Sequence, residues 1–500
     1  MKSKIQLLLL ATLVLLLGAC TPEYKISITA TNNINAPALQ SFSHANSGSE
    51  WLLFAGRTNS IGSSDGGLHK MIGKNNYAST SFLPKSFNEN IFVYNVETDE
   101  VPHKISITQM IETVSHRYKS YHKDTLHKYR NVFKNTNALV RQKGEYVYVL
   151  GGYGAIDFEE GSKGYITYNH VAKIHVPSLM ALVKGSYSDV DESKLFAFGQ
   201  NKNLVSTGGE LYIIDEKLYL VGGHNFTSNS QKYVDAVYPF SLATEAHVLK
   251  ISVDSPISDV SNPKAIASDA TSVFRRRDGP VTASLYYNKE ESRLEAGIAI
   301  YAGVFKPGDD PLAAWNDAIY VHPSLSRGNS KSYTYDEAYN QKNYNVYSSP
   351  DVVGYDAKNK TLHTFLLGGI GDGKLNDDNK HRLSGFTNTG VHIQLKVDGS
   401  SLKSSNTVFS TNLFPGFDAK SPTYYGAEAI FFKNDSATSI KESKEIIDLK
   451  TLFEKGNNID VGYVFGGIEA LTANPGTYGK KLSTASNKIW KVTLTKKQEF

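Results

Sequence analysis

The chain has 500 residues, of which 40% are apolar and 20% charged, and its formal net charge is +4. This composition is enough for a large folded core and excludes a chain that is disordered throughout. A charge so close to zero at this length argues against nucleic acid as the main partner.

Residues 1–19 have the pattern of an export signal. Lys2 and Lys4 precede an apolar run that ends at Leu17 and is too short to span a membrane as a helix. The run leads into Leu-Gly-Ala-Cys20, which resembles the lipobox of bacterial lipoproteins, and Cys20 is the only cysteine. By that resemblance, cleavage would precede Cys20 and its thiol would carry lipid. The alternative is an ordinary signal peptide with a chance cysteine.

The residue after Cys20 indicates the destination of such a lipoprotein. Thr21 stands where the inner-membrane retention signal of proteobacterial lipoproteins has aspartate, so the resemblance implies the outer membrane and leaves the leaflet open. We assign residues 20–35 to a lipid-anchor tether and a first strand, and residues 36–500 to the main domain. A single cysteine leaves the mature body without disulfides.

A short apolar strand that ends in two glycines recurs along the chain. Four copies end in Gly-Gly, and two further copies have alanine in place of the first glycine: 146–152, 217–223, 364–369 and 462–467, then 51–56 and 298–303. Glycine permits the backbone turn and the close approach needed where a strand leaves a sheet. Six copies of one strand-and-stop pattern predict a repeat architecture.

Each copy is the second strand of a predicted four-stranded antiparallel unit, and the fold is predicted to be all-β. The fourth strand of unit 2 is placed near Ala181 or Lys194, that of unit 4 is left open, and that of unit 6 is taken from the N-terminus, Tyr24–Ala30. The predicted strands of units 1 to 6 are 38–44, 51–56, 90–96 and 104–108; 138–142, 146–151 and 171–176; 209–215, 217–222, 235–242 and 246–253; 281–288, 296–304 and 317–323; 351–356, 362–368, 390–397 and 406–411; 428–433, 461–466 and 488–495.

Glycine-terminated strands followed by a strand such as Asn90-Ile-Phe-Val-Tyr-Asn-Val-Glu resemble the kelch repeat family. The resemblance implies a six-bladed β-propeller whose ring is closed by pairing of the N- and C-terminal strands. The glycine stops are 66 to 98 residues apart, against roughly 50 in kelch units. Each unit therefore carries insertions, and seven blades remain an alternative.

The insertions are predicted to gather on one face. Loops that follow a second strand, or that enter the next first strand, share one end of the sheets, the loop face; the hairpins between first and second strands lie at the other end, the hairpin face. Residues 57–89, 109–136, 153–170, 259–280, 324–349 and 370–389 belong to the loop face. Residues 440–453 have helical periodicity and are predicted to form a short amphipathic helix on the hairpin face.

The loop face is where we expect a ligand. Arg275, Arg276 and Arg277 lead into the first strand of unit 4, and at least one should reach the central channel, although a structural salt bridge is equally compatible with the sequence. The segment 115–130, rich in lysine, arginine, histidine and tyrosine, fits an anion-binding surface or, preferably, a solvated helix with its tyrosines packed inward. The other residues assigned to ligand binding are Tyr344, Tyr347, Tyr424, Tyr425, His224, Asn225 and Glu210.

These residues describe a site for a polar ligand such as a sugar, neutral or acidic, with no metal and no cofactor. The histidine spacing matches no metal site, and no nucleophile motif is present. Two hypotheses follow. The first is a binding or scaffold lipoprotein whose ligand is a glycan, a peptide or an envelope protein, and it is preferred because no catalytic signature is found. The alternative is a carbohydrate-active enzyme that resembles the kelch-type N-acetylneuraminate epimerase, with Glu210, Arg276 and Glu428 as candidates for its chemistry.

Overall fold

The computed structural model describes residues 23–58, 82–157, 164–227, 230–260, 271–304, 306–307, 313–327, 332–342, 345–372, 383–399, 402–414, 423–473 and 483–497. The fold is all-β, with four short α-helices among these residues. In the same ranges, no helix combines the length and the apolar character needed to cross a membrane.

Most of the described strands belong to antiparallel units in which four strands lie side by side. Units 1 to 5 are continuous in sequence, and unit 6 takes its fourth strand from the N-terminus. Their strands are Ser43–Ser47, Glu50–Phe54, Asn90–Asn95 and His103–Ser106; Leu139–Lys143, Tyr146–Leu150, His170–His175 and Phe196–Gln200; Glu210–Ile214, Lys217–Val221, Val237–Glu245 and Val248–Val253; Val281–Asn288, Arg293–Val304, Ala314–Val321 and Tyr333–Asp336; Asp351–Asp356, Thr361–Asp372, Leu383–Lys396 and Lys403–Ser410; Ile430–Lys433, Asn458–Phe465, Ile489–Lys496 and Tyr24–Ala30.

Two of these sheets are larger than four strands. Units 2 and 3 join into one eight-stranded sheet through a single parallel bridge pair between Phe198 and Val248. Unit 5 gains a parallel strand, Ile446–Asp448, beside its first strand, and a short strand, Asn345–Tyr347, beside its second. The first addition comes from within unit 6, between its first and second strands, and the second comes from the segment that connects units 4 and 5.

The pairing of the chain ends is confirmed. Tyr24 to Ala30 lie antiparallel to Lys496 to Trp490 along their whole length. Alternation explains why this segment is a strand, because Tyr24, Ile26 and Ile28 are buried while the residues between them are exposed. The N-terminal strand thus completes unit 6.

All six strand stops have the same backbone conformation. Both residues of each stop have positive φ angles, and this includes the two alanine copies, in which Ala55 and Ala302 have a φ of 55°. At Gly151 a side chain is also excluded by space, because a Cβ there would lie 2.0 Å from the carbonyl oxygen of Ser206. The predicted roles of the glycines, turning and close approach, are both observed.

The second glycine of the stop also joins neighbouring units. In five of the six stops its N–H donates to a carbonyl oxygen just before the first strand of the next unit, and the last of these bonds leads from unit 6 back to unit 1. The bonds are Gly56 to Asn135 (2.7 Å), Gly152 to Ser206 (3.0 Å), Gly223 to Arg276 (2.8 Å), Gly369 to Tyr425 (3.3 Å) and Gly467 to Leu39 (2.9 Å).

A belt of six residues connects the entrances to the first strands. Its members, each two or three residues before a first strand and each with a positive φ, are Ser41, Asn137, Gly208, Asp278, Ser348 and Glu428. The N–H of every member after Ser41 donates to the carbonyl oxygen of the member before it, over 2.6 to 3.2 Å. Between the last and the first member, the Ser41 hydroxyl donates to Glu428 Oε2 at 2.8 Å. The six units therefore share one hydrogen-bonded belt.

Beyond the stops, the chain continues on the loop face as further antiparallel pairs. Short hairpins are formed by Tyr153–Ala155 with Tyr165–Thr167, His224–Phe226 with Gln231–Tyr233, and Ile468–Ala470 with Ser483–Ala485. Much of the predicted insertions at 57–89, 259–280, 324–349 and 370–389 lies outside the described residues. The described part of this face therefore contains regular structure, namely these three β-hairpins and the helices Ile107–Arg117 and Lys123–Lys128.

The structure decides the fourth strand of unit 2, for which the sequence left two placements open. Ala181 lies in the helix Val176–Lys184, and the strand is Phe196–Gln200, next to the placement at Lys194. One prediction about a helix is wrong. The helix predicted over 440–453 is confined to Leu449–Phe453, because the preceding isoleucines pair as a strand with unit 5. The carboxylate of Asp448 accepts bonds from the N–H groups of Lys450 and Thr451, and so fixes the start of the helix.

The basic segment at 115–130 packs as a helical insertion. It spans the end of the helix Ile107–Arg117 and the helix Lys123–Lys128. Tyr118, Tyr121 and Tyr129 are all buried, whereas the cations around them face outward. This arrangement fits the preferred interpretation of the segment as a solvated helix with its tyrosines packed inward.

Candidate functional site

The first strands of all six units line one cavity of about 540 Å³. The belt borders it at one end, and the hairpin residues Gly48 and Gly144 border it at the other. Residues from one segment between strands, including Lys444 and Glu445, also reach its wall. Its volume is in the usual range for small-molecule sites.

Arg141 is the centre of the charged part of this wall. Its Nη1 lies 3.0 Å from Glu445 Oε2 and its Nη2 lies 3.6 Å from Glu210 Oε2. Its Nε donates to the carbonyl oxygen of Leu211 at 2.7 Å, and the guanidinium lies 4.0 Å from the centre of the Tyr212 ring. Burial acts to lower the pKa of Arg141, but Glu445 and the other nearby acidic groups raise it above its ordinary value. Arg141 is therefore a fixed cation.

Two carboxyl groups near Arg141 have pKa values close to neutrality. Burial in the cavity raises the pKa of Glu210 to about 7; Arg141 opposes the rise, and repulsion from Glu428 and Glu445 adds to it. Burial also raises the pKa of Asp351 to about 7, and repulsion from Glu445 contributes. Within the described part of the chain, the Asp351 side chain has no hydrogen bond or ion pair to another residue.

His44 faces the same region from the first strand of unit 1. Burial and the charge of Arg141 lower the pKa of its imidazole to about 3, so the ring is neutral at physiological pH. Its ring packs edge-on against Phe432, with 5.3 Å between the ring centres. His44 therefore adds a polar but uncharged group to the cavity.

The belt contributes two further carboxylates, and both have partners. Arg277 Nη1 lies 2.8 Å from Asp278 Oδ2. The two oxygens of Glu428 accept bonds from the hydroxyls of Ser41 and Ser348, at 2.8 and 2.7 Å. Burial raises the pKa of Asp278 to about 7; Arg277 opposes the rise and Glu428 adds to it. The belt end of the cavity is thus acidic but internally hydrogen-bonded.

The three consecutive arginines have three different surroundings. Arg275 lies over the Tyr233 ring at 3.9 Å. Arg276 is buried, lies 2.5 Å from Asp317, and donates to the carbonyl oxygens of Val273 and Ala302. Its guanidinium has the structural salt bridge that the sequence left open. Arg277 lies at the belt beside Asp278 and is the member of the triplet whose charged group faces the cavity end.

The other predicted residues, apart from Glu210, do not line the cavity. His224 is buried, its Nδ1 accepts a hydrogen bond from Gln231 Nε2 at 2.8 Å, and its pKa is well below its ordinary value because of burial. Tyr425 is in the core against Trp490, with 4.5 Å between the ring centres. Tyr347, Tyr424 and Asn225 lie on the loop-face extensions. Tyr344 lies outside the described residues.

Sequence reasoning therefore found Glu210, Arg277 and Glu428 in the cavity wall but missed Arg141, Asp351, Glu445, Asp278 and His44. One signal was available for Asp351. It opens the first strand of its unit as Glu210 does, so an alignment of the six first strands would have placed the two carboxylates at one level. Nothing local identifies Glu445, which lies in a segment between strands.

No family model matches the chain, and no curated protein matches it at a significant level. In the ranges that the structure covers, no three His, Cys, Asp or Glu side chains are grouped so as to hold a metal ion. The chemistry of the site is therefore inferred from its own residues. They offer a fixed guanidinium, neutral and ionisable acids, an imidazole and a tyrosine ring, a combination suited to holding a polar ligand by hydrogen bonds and charge.

Proposed function

We propose that the chain is an envelope-anchored lipoprotein with a six-bladed kelch-like β-propeller that binds a polar ligand, such as a glycan, in its central cavity. The observation that carries the proposal is the Arg141 cluster. A fixed guanidinium with Glu210, Glu445 and Asp351 stands in a cavity that all six first strands share. Buried ionisable groups in a cleft mark candidate functional sites.

The belt and the glycine junctions support a ring of six blades. Consecutive belt members are bonded directly, and Gly467 of unit 6 donates to Leu39 before unit 1. A seventh blade would have to interrupt one of these junctions. Pairing of the chain ends supports closure of the ring, because the N-terminal segment supplies the outer strand of unit 6.

Binding is tested by a glycan array followed by calorimetry with the purified mature protein. We expect a glycan ligand, and we expect Arg141→Met to weaken its binding at least tenfold, because the guanidinium orients the acidic wall. Arg293→Met is the matched control, since this arginine is exposed and pairs with Glu295 in unit 4, away from the cavity wall. Equal loss in both variants, or none in either, would place the ligand elsewhere.

A second candidate function is proton-transfer catalysis on a sugar, of the kind that the resemblance to N-acetylneuraminate epimerase suggests. What favours it is that Glu210 and Asp351, with pKa values of about 7, stand beside an arginine, and such carboxyls suit general acid–base catalysis. Interconversion of sialic acid anomers or epimers, followed by NMR with the purified protein, tests it. Interconversion that disappears in Glu210→Gln would establish catalysis over binding alone.

The proposed anchor also orients the molecule. Tyr24 pairs with Lys496, at the end of the third strand of unit 6 that lies on the hairpin face. Cys20 is four residues earlier, a reach of at most about 14 Å. A lipid at Cys20 would therefore hold the hairpin face toward the membrane and direct the loop face away from it.

The anchor is tested by mass spectrometry and by membrane fractionation. We expect lipid on Cys20, and we expect Cys20→Ser to release the protein from membranes. For orientation, the otherwise cysteine-free chain accepts one labelled cysteine at a time. A fluorophore at Lys358, in a turn on the hairpin face, should be quenched by a lipid-borne quencher in proteoliposomes, whereas one at Ile156, which is 47% exposed on the loop face, should not. The reverse pattern would refute this orientation.

A further inference from the structure

The charges on the cavity wall do not balance. Its lining contains six carboxylates but only four cations once Arg276 is set aside, because Arg276 is paired with Asp317. Two of the four cations are lysines: Lys444 is exposed at the rim, and Lys433 donates to the carbonyl oxygen of Ala437. The acidic groups of the wall therefore outnumber the cations that face them.

The excess negative charge is concentrated around Arg141. This one guanidinium faces Glu445 and Glu210, and the Asp351 carboxylate interacts with it only at longer range. Arg141 has little capacity left for a further anion, since its Nε is bonded to Leu211 and its Nη1 to Glu445. An acidic ligand would bring another negative charge to this wall, so the geometry disfavours the acidic ligand considered from the sequence.

We infer that the cavity takes a ligand with a cationic ammonium group, held between Asp351 and Glu210, on a hydroxyl-bearing body of about sugar size. The inference rests on the proposed binding function and specifies its ligand class. Asp351 offers an unpaired carboxylate inside the cavity, and Glu210 lies 3.6 Å from its only ion-pair partner, so both can accept from an N–H₃⁺ group. The hydroxyls of such a ligand would meet the polar belt.

Proton exchange gives this inference a second observable. In the empty cavity the acids avoid mutual repulsion by holding protons near neutral pH, as the pKa values of about 7 for Glu210 and Asp351 indicate. An ammonium group between them favours their ionised forms. Binding at pH 7 should then release up to about one proton per site, since each group is about half protonated there.

The test uses calorimetry on the mature protein with three sugars that share one ring: glucosamine, glucose and glucuronate. We expect glucosamine to bind at least about tenfold more tightly than glucose, glucuronate to bind most weakly, and only glucosamine to release protons when two buffers of different ionisation heat are compared. Asp351→Asn and Glu210→Gln should each reduce the preference, while Glu245→Gln, an exposed carboxylate of unit 3, should preserve it.

Three results would overturn the inference. They are equal or tighter binding of glucose or glucuronate, an unchanged preference in both cavity variants, and no binding of glucosamine at about 10 mM, where a millimolar affinity is still measurable. These results differ from failure of the proposed function. A neutral or acidic glycan that binds in an Arg141-dependent manner would refute the ligand class alone, whereas a blank array with no binding of the three sugars would refute both.

Discussion

The belt and the cavity wall beside it are built on different rules. In the belt, six positions repeat one backbone conformation, and five of them repeat one N–H to carbonyl bond, whatever the side chain, from Gly208 to Glu428. On the cavity wall, charge is not repeated around the six units: an acid opens the first strand only as Glu210 and Asp351, and Arg141 is the only charged residue at the third position. Repeated main-chain hydrogen bonds hold the units together, and side chains that differ between the units determine the charge of the cavity wall.

This difference predicts that damage near the belt should appear as lost stability, whereas changes on the cavity wall should alter charge and binding at smaller cost. Buried, fully paired groups have no alternative partners when one is removed. Carboxyl groups that border a cavity can instead take up a proton. The four predictions below test this contrast.

The largest loss of stability is expected at Arg276, the arginine near the belt whose charge is paired with Asp317. Arg276→Met leaves Asp317 buried without its counter-charge and removes the bonds to three carbonyl oxygens. We expect a loss of about 3–5 kcal/mol in the free energy of unfolding, measured by chemical denaturation. The control is Arg275→Met, which removes a cation that lies over the Tyr233 ring and should cost less than about 1 kcal/mol. Similar losses in the two variants would contradict the distinction between them.

The glycine stop at unit 2 should be next in sensitivity. Gly151→Ala adds a Cβ only 2.0 Å from the Ser206 carbonyl oxygen, at a φ of 69°. We expect a loss of about 2–4 kcal/mol from left-handed strain and overpacking together. Gly185→Ala has a similar φ, 79°, with no atom within 4 Å of the added Cβ, so it should show the strain alone, about 1–2 kcal/mol. If the two costs are equal, close approach between units does not explain the glycine.

Substitution of Arg141, which faces more than one carboxylate, should cause a smaller loss of stability that depends on pH. Arg141→Met removes the group that opposes the raised pKa values of Glu210 and Asp351. Those pKa values should rise further, so the folded state holds extra protons and stability falls as the pH increases. We expect a loss of about 1.5–3 kcal/mol at pH 8 and a smaller one at pH 5. A deficit that is constant over this range would mean that the carboxyls do not respond to Arg141.

The same contrast explains what could be predicted from the sequence. The strand stops were visible because turning and close approach demand glycine, and only Ala55 and Ala302 replace it. The pairing of Tyr24–Ala30 with the C-terminal strand was visible because alternation left one strand unassigned. Neither depended on which side chains meet across the molecule.

Most residues of the cavity wall could not be predicted, because they depend on side chains that meet across the molecule. Arg141 and Glu445 are separated by 304 residues and Ser41 and Glu428 by 387, so no local pattern connects them. The triplet Arg275–Arg277 attracted attention by its density of charge, yet Arg276 belongs to the core. Arg141 is followed by Gln142 and Lys143 at the end of the strand Leu139–Lys143, so nothing in this short polar run marks it as a residue that faces the cavity.

The smallest effect is expected from Asp351→Asn, and its sign distinguishes a cavity acid from a structural one. In the folded protein the pKa of Asp351 is about 7, against an ordinary value of 3.8. Between these values the unfolded chain has lost the proton and the folded chain keeps it, so wild-type stability decreases as the pH rises through this window. The amide in the variant cannot ionise, so the variant does not lose stability as the pH rises through this window. The variant should therefore match the wild type near pH 4 and exceed its Tm by about 1–2 °C above pH 7. Glu245→Gln should follow the wild type throughout. A lower Tm for Asp351→Asn at pH 8 would mean that the ionised carboxylate stabilises the folded protein without a ligand. Asp351 would then be a structural residue rather than a ligand-binding one.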